Sequence, residues 1–109
     1  MATVLLVCAA GVSGTFLGRR MRDVDPDLVC VVTGLDSLAS ALPSADAVLV
    51  APQLASSLDA VRRAAAPVPV ALLPATAFAV GGAEAAVMQA RHVLASHAYR
   101  GAPTPESKE

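Results

Sequence analysis

Cys8 is the residue in this chain best placed to do chemistry, because of the seven residues after it. Ala9, Ala10, Gly11, Val12, Ser13, Gly14 and Thr15 make a stretch of small residues, glycines and hydroxyls. Gly11 and Gly14 carry no Cβ and can take φ > 0, so the backbone there can curl and turn its N–H groups inward. Ser13 and Thr15 can donate to an anion or cap a helix, since both roles use the same geometry. A helix leaving this stretch adds unpaired N–H groups and the positive end of its dipole. Residues 8–15 therefore read as a phosphate-sized cradle with the sulfur at its lip. The same field is expected to favour thiolate over thiol at Cys8.

Two chemistries use such a loop. In the first, the cysteine attacks a phosphate ester and water clears the phosphocysteine, as in low-molecular-weight tyrosine phosphatases. That loop needs an arginine after five intervening residues, because a planar guanidinium clamps the phosphoryl oxygens. Here that position is Gly14, and the nearest arginines, Arg19 and Arg20, lie beyond the loop. An acid that activates water is also needed, and the candidates are Asp46, Asp59 and Glu84. In the second chemistry, the cysteine takes a phosphoryl group from a protein and passes it on. Neutral donors suffice for that, and water activation would waste the group. The loop fits the second chemistry better.

The strand-Cys-Ala-Ala-Gly-Val-Ser order from Val4 to Ser13 resembles the enzyme IIB components of the bacterial sugar phosphotransferase system, of the lactose/cellobiose/chitobiose type. The resemblance resumes at Ala45-Asp46-Ala47-Val48-Leu49-Val50-Ala51-Pro52-Gln53-Leu54-Ala55 and continues through Pro67-Val68-Pro69-Val70 to Gly82. It implies that Cys8 is phosphorylated and that residues 8–15 hold the phosphate. It also implies an active edge shared by Pro52, Gln53, Phe78 and Gly82. The donor would be a phosphohistidine IIA protein and the acceptor a sugar on a membrane IIC transporter, with no metal or organic cofactor. The chain departs from the family pattern at Gly14 and Thr15, at Ala51 in place of a glycine, and at 77–82, where a tyrosine and an aspartate are missing. Two further readings stay open: a non-catalytic regulator descended from the carrier, and the phosphatase.

The elements that must position Cys8 are read from periodicity. Residues 3–7 are apolar on both faces, as in a central strand of a parallel sheet. The spacing predicts a helix over 16–24, with Phe16, Leu17, Arg20 and Met21 on one face and Arg19 and Arg22 turned away. Asp25-Pro26-Asp27 is a turn. Further strands are expected at 28–32, 47–50 and 68–72, the last opened by Pro67 and Pro69 as suits a sheet edge. Asp36 is the expected N-cap of a short helix over 37–42. A helix over 54–65 points Leu54, Leu58 and Val61 inward. Residues 74–82 form a loop at the Cys8 edge, and a last helix runs over 83–97 with Val87, Ala90 and Leu94 inward. Alternating strands and helices give a single three-layer α/β domain: a four-stranded parallel sheet with helices on both faces and the phosphate loop after strand 1. Low-molecular-weight tyrosine phosphatases share that fold.

Composition narrows the class. The chain has 109 residues, enough for one domain with a modest core. It is 55% hydrophobic but only 3% aromatic, so the core is built of Ala, Val and Leu. A net charge of −1 lacks the basic stripe of a nucleic-acid binder. The two cysteines have no metal-like spacing, and Cys30 lies among valines as a structural thiol. No leader is expected, because Met1-Ala2-Thr3 has no basic start, and no membrane insertion, because Pro and Gly interrupt the most apolar stretch, Val68 to Met88. A cytoplasmic protein is expected, with a domain over 1–98 and a disordered, Pro-rich tail over 99–109. His92 and His97 fall late on the last helix and are expected on its surface.

Overall fold

A computed structural model describes residues 2–8, 11–79 and 81–101, and of residues 11–14 and 96–101 the backbone alone. Four strands, β1 (Ala2–Val7), β2 (Leu28–Thr33), β3 (Ala47–Val50) and β4 (Val70–Leu72), form one parallel sheet in the order β2-β1-β3-β4. Four helices connect and cover them: α1 (Gly11–Val24), α2 (Leu38–Ala41), α3 (Leu58–Ala65) and α4 (Gly82–Gly101). The expected three-layer α/β architecture is present, with β1 central and β4 at an edge.

β1 divides the core. Its side chains alternate between the two sheet faces with a period of two. Val4, Leu6 and Cys8 join Leu17 and Met21 of α1 and Ala86, Val87 and Ala90 of α4 in one cluster. Leu5 and Val7 join Val48, Val50, Leu38, Val61 and Ala65 in the other. Val4, Leu5, Leu6 and Val7 are fully buried, and each such burial is worth about 1.5–3 kcal/mol relative to exposure. At the amino ends of the strands, Asp46 locks β3 to β1. Its N–H donates to the Thr3 carbonyl at 2.7 Å, and its carboxylate accepts from the Thr3 N–H at 2.7 Å.

Several local expectations need correction. α1 begins at Gly11, not at residue 16. Low helix propensity in Gly11, Ser13 and Gly14 is overridden by what the helix packs against. Gly18 lies close to the sheet: a Cβ there would stand 3.5 Å from the Leu6 side chain and 3.6 Å from that of Cys30. The buried stripe of α1 is therefore Leu17, Gly18 and Met21, whereas Phe16 is 58% exposed and Arg20 is exposed. Asp36 caps no helix, because it sits inside a 3-10 turn, Leu35–Ser37, ahead of α2. The segment before α3, Pro52–Ser57, is a 3-10 helix rather than part of α3. β4 starts at Val70 because Pro67 and Pro69 have no N–H for the ladder, although the Pro69 carbonyl still accepts from Val48 N–H at 2.9 Å. α4 runs from Gly82 through Gly101, beyond the helix end expected at 97, and residues 102–109 lie outside the described residues.

Two polar ties hold α4. The Gln89 side-chain amide donates to the Leu72 carbonyl at 2.8 Å, satisfying the end of β4. Arg91 donates through Nε (3.0 Å) and a terminal guanidinium nitrogen (2.8 Å) to one oxygen of Asp25, just past the end of α1. The other Asp25 oxygen accepts from the Asp27 N–H at 3.0 Å. These bonds, Arg91 first, hold the Asp25 carboxyl below the usual carboxylate range. At the other end of α4, Gly82 is required sterically: a Cβ there would run into the carbonyl oxygens of Thr76 and Ala77.

Both ends of α4 can be tested. Gly82→Ala should lower unfolding stability by about 1–3 kcal/mol, the usual cost of overpacking, read as a lower urea midpoint at unchanged slope. The depressed Asp25 carboxyl contributes stability that is fully present above the unfolded Asp value and is lost as pH falls through the folded value. Thermal melting against pH should therefore show an acid-side loss that is shallower in Asp25→Asn, whose melting temperature at neutral pH is lower from the start.

Candidate active site

The carboxyl ends of the strands meet in one row. Val7 pairs with Thr33 on one side and with Val50 on the other, and Val50 pairs with Leu72. The next residue along each strand forms the rim: Gly34, Cys8, Ala51 and Leu73. Backbone bonds extend the sheet into it. Cys8 N–H donates to the Thr33 carbonyl (3.0 Å), Ala51 N–H to Val7 (2.9 Å) and Leu73 N–H to Val50 (2.8 Å). Cys8 is thus fixed in the middle of the rim, where open α/β sheets place their ligands.

The sulfur lies on the α1/α4 side, because Cys8 comes after Val4 and Leu6 in the alternation. Ala51, Leu73, Ala77 and Ala83 belong to the same cluster, with Phe78 packed against it. These neighbours are small, apart from Leu73 and Phe78. α1 starts three positions after Cys8, so its unpaired amino-terminal N–H groups lie at the same edge. α4 starts there too, after a 3-10 turn at Ala75–Phe78.

Cys8 is 6% exposed. Burial pushes its thiol up from the ordinary value, the direction opposite to the expected pull of the helix start toward thiolate. The physical reason is desolvation: Cys8 is buried in the apolar cluster of the α1/α4 face, which disfavours a charge. Both cysteines are free thiols. Cys30 pairs with Val4, four positions back along β1, and is half-buried as a structural thiol.

The other expected site residues divide into groups. Gly11, Val12, Ser13, Gly14 and Thr15 form the opening of α1 rather than a loop before it, so neither Ser13 nor Thr15 can be its N-cap. Ala9 and Ala10 lie outside the described residues. Pro52 is half-buried and Gln53 exposed; they come directly after Ala51 and sit on the Cys8 edge. Phe78 and Gly82 are at that edge as well, Phe78 half-buried and Gly82 buried. Of the three acids considered for water activation, Asp46 lies at the opposite edge and Asp59 is exposed on α3. Glu84, exposed in the first turn of α4, is on the Cys8 side. His92 is exposed on α4, about 15 Å along the helix from its start.

Sequence reasoning missed Thr33 and Gly34. Thr33 is buried, its carbonyl holds the Cys8 N–H, and its hydroxyl donates to the Gly34 carbonyl at 3.2 Å. A Cβ on Gly34 would stand 3.8 Å from the Cys8 carbonyl oxygen. The signal was present: a hydroxyl residue and then a glycine close the apolar run of β2.

Among the described residues no helix is long and apolar enough to cross a membrane. A comparison with characterised protein sequences gave no match. A family model does match, over residues 3–90, a span that holds Cys8, Pro52, Gln53, Phe78 and Gly82. Its description is the lactose/cellobiose-specific IIB subunit of the PTS system, the phosphotransferase system of sugar transport. The chain therefore belongs to the lactose/cellobiose-specific IIB subunits, with a phosphotransfer role in the sugar phosphotransferase system.

Proposed function

We propose that this protein is a phosphoryl carrier whose carrying atom is the sulfur of Cys8. A phosphohistidine on a IIA protein is the donor, and a sugar held by a membrane IIC transporter is the acceptor. The observation that carries this reading is the position of Cys8: mid-rim on the central strand, three residues before the amino terminus of α1.

Both transfer steps balance. In the first, the sulfur attacks the phosphorus in line; the S–P bond forms as the P–N bond to the donor imidazole breaks. The leaving imidazole nitrogen keeps the electron pair and takes up the thiol proton. In the second step a sugar hydroxyl attacks the phosphorus, the S–P bond breaks, and the hydroxyl proton returns to the sulfur. The unpaired main-chain N–H groups at the start of α1, with the Ser13 and Thr15 hydroxyls, serve the three phosphoryl oxygens in this reading. Such a reaction needs positioning and charge stabilisation rather than a side-chain base. Pro52, Gln53, Phe78 and Gly82 frame the edge where donor and acceptor approach. Because a resting thiol is neutral, the low-polarity rim holds the unphosphorylated state without an unpaired charge. The absence of an arginine at position 14 fits a carrier that must release its group to another protein rather than hold it for water. We place this carrier in the cytoplasm.

The burial of Cys8 favours one rival, a regulator of the same family that binds partners without accepting phosphate. One experiment separates them. After incubation with phosphoenolpyruvate, the general phosphotransfer proteins and the IIA protein, intact-mass spectrometry should show a single phosphate-sized gain, mapped to Cys8 and absent in Cys8→Ser. No gain in the native protein means the regulator. A second measurement tests the resting state. Alkylation of Cys8 by iodoacetamide should be slow at neutral pH and rise to half-maximum above the ordinary thiol range, since burial favours the protonated form. A midpoint below that range would mean that the helix amino terminus outweighs burial.

A further inference from the structure

The two edges of the sheet are finished differently. β4 is three residues long, follows Pro67 and Pro69, and has its Leu72 carbonyl met by the Gln89 side chain at 2.8 Å. Such devices keep an edge strand from pairing with another chain. β2, the other edge, is six residues long, and its run from Leu28 to Thr33 holds no charge, proline or glycine. The Thr33 carbonyl accepts from the Cys8 N–H. Main-chain groups alternate in direction along a parallel strand, so Thr33, Val31 and Val29 turn theirs to β1. Cys30 and Val32 turn theirs outward. Local bonds serve both ends of this edge: Leu28 N–H donates to the Asp25 carbonyl at 3.1 Å, and the Gly34 carbonyl accepts from Ser37 N–H at 3.3 Å. Among the described residues, the N–H and C=O groups of Cys30 and Val32 have no strand beside them.

The two faces beside this edge differ in chemistry. On one, Cys30 and Val32 lie under Gly18 of α1. Arg22 stands one turn past Gly18 in the same row, with Arg19 next to it on the outer flank. Burial pushes the Cys30 thiol up; of the charges near it, Arg22 opposes that shift and Asp25 adds to it. Arg19, Arg22, Asp23 and Pro26 line an open cleft of about 480 Å³, which sets two guanidinium groups against one carboxylate. Asp25 is already bonded to Arg91, and Asp27 is exposed at the head of β2, before the open stretch. The cleft therefore favours an incoming carboxylate, whose geometry matches the guanidinium fork. On the other face, Val29 and Val31 are 36% and 38% exposed and stay outside the cluster that Leu5 and Val7 build there.

We infer that the outer edge of β2 is a strand-addition site: an extended segment of a partner protein pairs its main chain with Cys30 and Val32, sets acidic side chains toward Arg19 and Arg22, and sets apolar ones beside Val29 and Val31. The inference stands apart from the carrier reading, since it uses no atom of the Cys8 rim. Main-chain bonds give such a site its affinity, and the alternation of side chains gives its specificity. A second copy of this chain suits the edge less well. A two-fold pairing of β2 with β2 would set the Arg19 and Arg22 flanks of both copies against each other.

The test uses the full chain and three end-blocked eight-residue peptides. One alternates Val with Glu, one alternates Val with Lys, and one is the Val–Glu peptide methylated at every main-chain nitrogen. By calorimetry the Val–Glu peptide should bind about tenfold or more tighter than the Val–Lys peptide, and the methylated peptide should not bind. In amide hydrogen exchange read by NMR, Cys30 and Val32 should exchange quickly in the free protein and slow when the Val–Glu peptide is added. Val29 and Val31 should exchange slowly throughout, because β1 already holds them. Arg19→Glu with Arg22→Glu should melt like the native protein, since both side chains are exposed, and should reverse the preference to Val–Lys. No binding of the Val–Glu peptide at millimolar concentration would overturn the inference. So would equal binding of the two peptides, a native preference in the double variant, or binding that leaves Cys30 and Val32 exchange unchanged. Slowing of those two amides with rising protein concentration alone would also overturn it, because a second copy would then hold the edge.

Discussion

The burial of β1 between two helical layers is the constraint on which the rest depends. A strand with core on both faces has no freedom of register, because a slip of one residue would exchange the side chains of its two faces. Val4 and Leu6 are committed to the α1/α4 layer, and Leu5 and Val7 to the α2/α3 layer. That commitment fixes the next residue. Cys8 emerges on the α1/α4 side, in the centre of the rim, under the start of α1. The position of the sulfur is a consequence of four buried side chains behind it.

The same packing sets the electrostatic problem. A thiol buried in the apolar cluster of the α1/α4 face is disfavoured as an anion. A phosphoryl group arriving at that place brings its own charge and needs donors around it. The unpaired N–H groups at the start of α1 are the nearest supply, and they cost no reorganisation because the helix is already anchored by Leu17 and Met21. The far edge is held independently, by Asp46 on Thr3 and by Arg91 on Asp25, so the rim can accept a partner without loosening the sheet.

Much of this was legible in the sequence, for physical reasons. An apolar run with no polar alternation could only be a doubly covered strand, and β3 at Ala47–Val50 and the inward residues of α4 were readable on the same principle. The stretch after Cys8 was legible as a composition, but from Gly11 onward not as a conformation. Glycines and hydroxyls suggested a loop, yet α1 already begins at Gly11, because the helix is nucleated by tertiary contact rather than propensity. Asp36 had the chemistry of a cap without the backbone to use it. The Asp25–Arg91 pair joins residues 66 apart in the chain, which no local pattern reveals. Phe16 shows the limit of helical periodicity: its spacing admits it to the apolar face, and only the lean of α1 onto Gly18 excludes it.

A carrier of this kind requires that phosphorus bond to one sulfur. Phosphorus NMR of the protein loaded from phosphorylated IIA addresses that bond directly. One resonance in the range of a sulfur-linked phosphoryl group is expected, lost when sugar and transporter-bearing vesicles are added. A resonance in the phosphohistidine range, or none on the protein, would contradict it.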